Sequence, residues 1–193
     1  MSEYFLLFMG AVLVNNFVLT RFLGLCIFFG VSKNLNASIG MGMAVTSVMT
    51  MSSILAWLVY NYVLVPFKLT FLTTVVFVLL VASFVQLLEM IIKRHMPALY
   101  KMWGIYLVLI ATNCIVLAVP LINSENSYSL LMSIVNAIGS GLGFALAIIL
   151  MASLREKLQY SDVPKSLDGL GIAFVLAGLL ALSFLGFSGM IPL

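Results

Sequence analysis

The stretch LVNNFVLTRFLGLC, residues 13–26, lies inside the first long apolar run of a 193-residue chain. It places Asn15, Asn16, Thr20 and Arg21 where carbon facing lipid is expected, and it ends on Cys26, one of two cysteines in the protein. Polar and charged groups within a membrane-crossing segment are costly, so they mark either helix-to-helix hydrogen bonding or a site. The rest of the chain decides how the stretch is read.

Composition sets the class. Hydrophobic residues make up 64% of the chain and charged residues 8%, with a mean hydropathy of +1.24, values that a water-soluble domain does not carry. The formal charge of +3 comes from nine basic residues scattered among apolar runs. They form no basic stripe able to follow a phosphate backbone, so no nucleic-acid partner is expected; the solvent partner is the lipid bilayer.

Six runs are long enough to span a hydrocarbon layer, which takes about 20 helical residues. They lie at Tyr4–Gly30, Ala37–Leu64, Thr70–Ile92, Trp103–Ile122, Leu130–Leu154 and Leu170–Ile191. None alternates apolar and polar residues as barrel strands do. Lys33, Lys93, Arg94, Lys101, Arg155, Lys157 and Lys165 fall on one side of such a bundle and Lys68 on the other. That asymmetry puts the loops after helices one, three and five in the cytoplasm and both termini outside, in a multi-pass protein of a bacterial cytoplasmic (inner) membrane. Met1-Ser2-Glu3 lacks a basic leader, so helix one is expected to be retained.

The halves of the chain resemble each other. SIGMGMAVTSVM from Ser38 matches AIGSGLGFALAI from Ala137, FVLLVASF from Phe77 matches FVLAGLLALSF from Phe174, and Asn16-Phe17-Val18-Leu19 matches Asn113-Cys114-Ile115-Val116. The shift stays near 97 to 99 residues, and three crossings separate equivalent positions. The expected fold is an all-α integral membrane protein: six transmembrane helices in two inverted three-helix repeats, residues 1–98 and 99–193 of a single transmembrane domain. Inverted repeats place sites near the midplane, often at interrupted helices. The polar clusters Asn15-Asn16 and Thr112-Asn113 occupy those positions in helices one and four, although packing hydrogen bonds alone would also account for them.

Cys26 and Cys114 admit three readings: small buried hydrophobes, a disulfide, or metal ligands. A thiolate in lipid needs a cation beside it. Two thiolates do not complete a four-cysteine iron–sulfur site, and His95 belongs to the basic loop, so a cluster here would take its remaining ligands from another protein.

The stretches EYFLLFMGAVLVNNFVLTRFLGLC, GVSKNLNASIGMGMAVT, ATNCIVL, LREKL, DVP and LGFSGM together resemble the A-type family of membrane subunits in the Rnf (Rsx) electron transport complex, related to the D-type and E-type subunits of the sodium-pumping NADH:quinone oxidoreductase. Asn15 stands where the E-type subunits of the latter typically have an acidic residue, which favours the Rnf branch. The resemblance implies a membrane subunit of an ion-translocating ferredoxin:NAD+ oxidoreductase, non-catalytic in isolation. It also implies a [2Fe–2S] cluster held by Cys26 and Cys114 together with two cysteines of a homologous, inverted Rnf subunit of the E type. Further Rnf subunits carrying flavins and iron–sulfur clusters are the other implied partners, and electron flow is coupled to Na+ or H+ transport.

A secondary transporter of a small solute or ion is the rival reading, since inverted repeats with midplane amides also describe carriers. A carrier would gain nothing from paired cysteines, and it would normally show an acidic residue at mid-depth for its coupling ion, which these runs lack. In unbroken helices Cys26 would lie about 6 Å from the inner end of helix one and Cys114 about 16 Å from the same face, at 1.5 Å per residue. A shared cluster therefore requires helix one to break around Asn15-Asn16 and helix four around Thr112-Asn113. Arg21, close to Cys26 in sequence, would either moderate the charge of the cluster or snorkel to the inner face.

Overall fold

A computed structural model describes residues 2–66, 70–95, 109–110, 112–158, 160 and 169–187. Lys68, Lys101, Lys165 and the beginning of the fourth run at Trp103 lie outside the described residues. Every described element is helical: α1 (Ser2–Met9), α2 (Phe17–Arg21), α3 (Leu25–Val31), α4 (Leu35–Val59), α5 (Thr73–His95), α6 (Cys114–Glu125), α7 (Leu130–Leu158) and α8 (Leu170–Leu185). Among the described residues, three continuous stretches have the length and apolar character to cross a membrane, Leu35–Leu64, Thr73–Ile91 and Leu130–Leu158.

The first apolar run is not one helix but three pieces. Past α1 the backbone widens into a π turn, Gly10–Val14, closed by Asn15 N donating to Gly10 O at 2.7 Å. It breaks at Asn15-Asn16, restarts as α2, and breaks again at Phe22–Gly24 before α3. The first interruption stands where the depth argument puts it. The second was not expected: Phe22 (φ 54°) and Gly24 (φ 78°) are both left-handed, a conformation that ends a right-handed helix. The fourth run is interrupted as well, with Asn113 in extended geometry (φ −74°, ψ 117°) immediately before α6.

Antiparallel α4 and α7 form the centre, and their crossing rests on small residues. A Cβ on Gly42 would lie 2.8 Å from Ala145 Cβ, and a Cβ on Gly141 would lie 2.6 Å from Thr46 Cγ2. These contacts exchange when 99 residues are added to one pair and taken from the other, the reciprocity that a local twofold between the two helices produces. In lipid there is little hydrophobic drive between helices, so such close approach is a principal source of adhesion. The opposite side of α7 receives the broken first run: Gly139 and Gly143 lie against the backbone of Phe8, Ala11 and Val12, where a Cβ would come within 3.2 Å or less of their carbonyl oxygens. Met41, Val45 and Met49 of α4 and Phe144, Ala147, Ile148 and Met151 of α7 fill the core. The peripheral helices α5 and α8 bury one narrow stripe each, Phe77-Val81-Val85 and Ala173-Ala177-Ala181. Their other faces present Leu79, Leu87, Met90, Phe174, Leu179 and Leu182 outward.

The two ends of the bundle differ chemically. At one end Trp57 Nε1 donates to Tyr128 O at 3.1 Å, and Tyr60 packs edge-on against Phe77, ring centroids 6.5 Å apart. Such aromatics suit a membrane–water interface. At the other end Arg155 donates to Phe29 O at 3.0 Å and Ser32 Oγ at 2.9 Å, fastening the end of α3 to α7. Because α5 starts beside Tyr60, its Lys93 and Arg94 return to the Arg155 end, so the described loop cations gather there.

Candidate functional site

Asn16 and Asn113 do the same local work. Each ends a break and caps the helix that follows: Asn16 Oδ1 accepts from Val18 N at 3.2 Å, and Asn113 Oδ1 accepts from Ile115 N at 3.3 Å. The backbone repeats the match, with Leu19 N donating to Asn16 O and Val116 N to Asn113 O, both at 3.1 Å. A helix start leaves donor groups without intrahelical partners, and an asparagine at the cap satisfies one of them. In lipid no water would do so. Both asparagines are buried.

Their remaining amide hydrogens differ. Asn16 Nδ2 donates to Gly143 O at 2.8 Å, which ties the first break to the middle of α7. Asn113 Nδ2 is buried and has no partner among the described residues. Asn15 is exposed, and Thr112 is exposed in the turn before Asn113.

The second break brings the cysteines' segments together. Gly24 caps α3, and a Cβ placed on it would lie 3.0 Å from Asn113 Oδ1, 3.5 Å from the Phe144 ring and 3.7 Å from Ile115 Cβ. Cys26 is two residues beyond Gly24 and Cys114 directly follows Asn113. Both cysteines therefore stand in the first turn of half-helices that touch at the level of Phe144, near the middle of α7.

Both cysteines are free and exposed. The readings as a disulfide or as small buried hydrophobes therefore do not describe them here. No group of three or more His, Cys, Asp or Glu side chains able to hold a metal occurs among the described residues. Two exposed thiols would supply half of a four-thiolate set, and the described residues do not supply the other half.

Arg21 lines a pocket whose lining includes neither cysteine. Its guanidinium carbon sits 5.6 Å from the Phe17 ring centroid, and with Asn15, Asn126, Tyr128 and Asn136 it lines a pocket towards the aromatic end of the bundle. It does not reach the end that carries Arg155, so snorkelling to that face is not what it does. Three residues important to the site were not singled out in the sequence. Phe22 and Gly24 make the reversal before Cys26, and Gly143 receives Asn16. The glycine in FLGLC, directly after a polar helical stretch, is the one readable signal, because glycine commonly terminates helices.

The family model described as "Rnf-Nqr subunit, membrane protein" matches residues 4–191. Over 193 residues, all of both chains, the sequence is 76% identical to the A-type subunit of the proton-translocating ferredoxin:NAD(+) oxidoreductase complex of Clostridium ljungdahlii. It is 52% identical over 181 residues, 94% of each chain, to the A-type subunit of the Na(+)-translocating ferredoxin:NAD(+) oxidoreductase complex of Acetobacterium woodii. Over 191 residues, 99% of each chain, it is 50% identical to the A-type subunit of the ion-translocating oxidoreductase complex of Serratia proteamaculans.

Proposed function

The chain belongs to the Rnf-Nqr family of membrane subunits, and on that premise we propose that it is the A-type membrane subunit of an ion-translocating ferredoxin:NAD+ oxidoreductase. In this reading it helps electrons cross the bilayer through a [2Fe–2S] cluster shared with a homologous, inverted subunit of the E type, and the complex couples that flow to Na+ or H+ transport. The complex sits in the bacterial cytoplasmic membrane, with both termini of this chain outside. Catalysis belongs to the assembly, whose other subunits carry flavins and further iron–sulfur centres.

The observation that supports the reading is the close approach of Gly24 to Asn113, which brings together the starts of the two half-helices that carry Cys26 and Cys114, both free and exposed. A cluster bound there would supply a one-electron centre within a hydrocarbon layer of about 30 Å. The chain's own contribution is positional. Asn16 and Asn113 cap the broken backbone, Asn16 anchors it to Gly143, and the left-handed Phe22 and Gly24 end α2 and start α3 just before Cys26. Two thiolates presented on an outer surface require two more from a partner, which supports a shared site. A carrier would have no use for that arrangement.

The test is Cys26→Ala and Cys114→Ala in the complex purified with its membrane partner. Each variant should lose the [2Fe–2S] EPR signal and electron transfer while remaining inserted and assembled. An undiminished signal in either variant would refute the ligand assignment.

A further inference from the structure

The pocket that holds Arg21 is separate from the cysteine pair and has no part in the function proposed above. It is a cavity of about 260 Å³ into which Arg21, Asn15, Asn126, Tyr128 and Asn136 converge. The guanidinium makes one described interaction, the stacking on Phe17, and no carboxylate among the described residues pairs with it. Asn15 and Asn126 form no side-chain hydrogen bond among the described residues. Asn136 is buried and donates Nδ2 to Asn123 Oδ1 at 2.7 Å, which fixes that wall of the cavity.

A guanidinium remains charged under all ordinary conditions, and at membrane depth it needs a counter-charge. Its planar fork matches the paired oxygens of a phosphate or carboxylate, and free amides beside it add donors. Position narrows the class. Asn126 and Tyr128 belong to the turn between α6 and α7, at the end where Trp57 hydrogen-bonds to Tyr128, so the mouth lies at an aromatic interface where lipid headgroups reside. Leu7 and Ile122 complete the lining with apolar surface suited to the start of an acyl chain.

We propose that this pocket binds a phosphate oxyanion, that of a phospholipid headgroup at the aromatic end of the bundle, with Arg21 as the bidentate donor and Asn15 and Asn126 as flanking donors. The site stands whether or not the cysteine pair holds a cluster.

The test uses the whole purified complex, delipidated in non-ionic detergent. Its thermal unfolding midpoint is followed on titration with dioleoylphosphatidylglycerol, with diolein, which lacks the phosphate, and with inorganic phosphate. A ligand that binds the native state raises the midpoint. Phosphatidylglycerol should raise it and diolein should not. Arg21→Gln should move the half-saturating lipid concentration upward by at least about tenfold, the worth of a lost charge-assisted hydrogen bond. Arg21→Lys should fall between the two. Should Arg21→Gln fail to assemble, Asn126→Ala supplies the reading, with a smaller rise in the same concentration. An equal response to inorganic phosphate would keep the oxyanion site and assign it to free anion. Diolein matching phosphatidylglycerol, an unaltered response in Arg21→Gln, or no response of the wild type would each overturn the proposal, the last pointing to a carboxylate from another protein of the complex as the counter-charge.

Discussion

Gly24 and Asn113 are in contact across the fold: a Cβ on Gly24 would come 3.0 Å from Asn113 Oδ1, and Gly24 itself holds φ +78°. Glycine is needed there twice over, for the left-handed backbone and for the room it leaves the cap of α6. Gly24→Ala should cost about 1–2 kcal/mol from the left-handed conformation alone, with the displaced Asn113 cap adding to it. The expected outcome is a lowered unfolding midpoint together with a weakened [2Fe–2S] signal in the assembled complex. A variant as stable as the wild type and with a full signal would show that this contact does not position the cysteines.

The matched asparagines should respond unequally. Asn113→Ala removes a cap, worth about 1 kcal/mol. Asn16→Ala removes a cap and also the bond to Gly143 O, whose carbonyl keeps its intrahelical donor, adding about 0.5–1.5 kcal/mol for the lost hydrogen bond. Thermal or denaturant unfolding of the isolated chain should therefore rank Asn16→Ala as the more damaging change, and Asn→Ser, which preserves the cap, as the milder substitution at both positions. Equal effects would mean that the Gly143 bond contributes nothing.

Both sulfurs are exposed on the isolated chain. A membrane-permeant maleimide should therefore label Cys26 and Cys114 when the protein is expressed without partners, and mass spectrometry should find both protected in the intact complex. Labelling of both at full rate in the complex would place the partner elsewhere.

The α4–α7 crossing should tolerate no added bulk at its glycines. A Cβ on Gly141 would lie 2.9 Å from Thr46 Cα, a backbone atom that cannot rotate away. Gly141→Ala should cost about 1–3 kcal/mol by overpacking, and Gly141→Leu should prevent accumulation of folded protein. Gly178→Ala is the control, since a Cβ there meets nothing within 4 Å. Membrane-fraction immunoblots and unfolding midpoints check the series.

Much of this was legible in residue order. Composition and run length dictate a helical membrane protein, because backbone polar groups in lipid must be satisfied within the segment. The polar pairs Asn15-Asn16 and Thr112-Asn113 inside apolar runs mark where helices break, since asparagine caps what lipid cannot solvate. The near-constant shift between halves anticipates that Asn16 and Asn113 share a role, and their capping bonds, to Val18 and Ile115, are separated by the same 97 residues. Only the tertiary structure decided the rest. The reversal at Phe22–Gly24 is set by the contacts of Gly24 with Asn113, Phe144 and Ile115, residues distant in sequence. The apolar runs themselves could not say which helix face meets which. In lipid nearly every face is apolar, so the choice falls to a few glycines that permit close approach and a few amides that must find partners, and those partners exist only once the chain has folded.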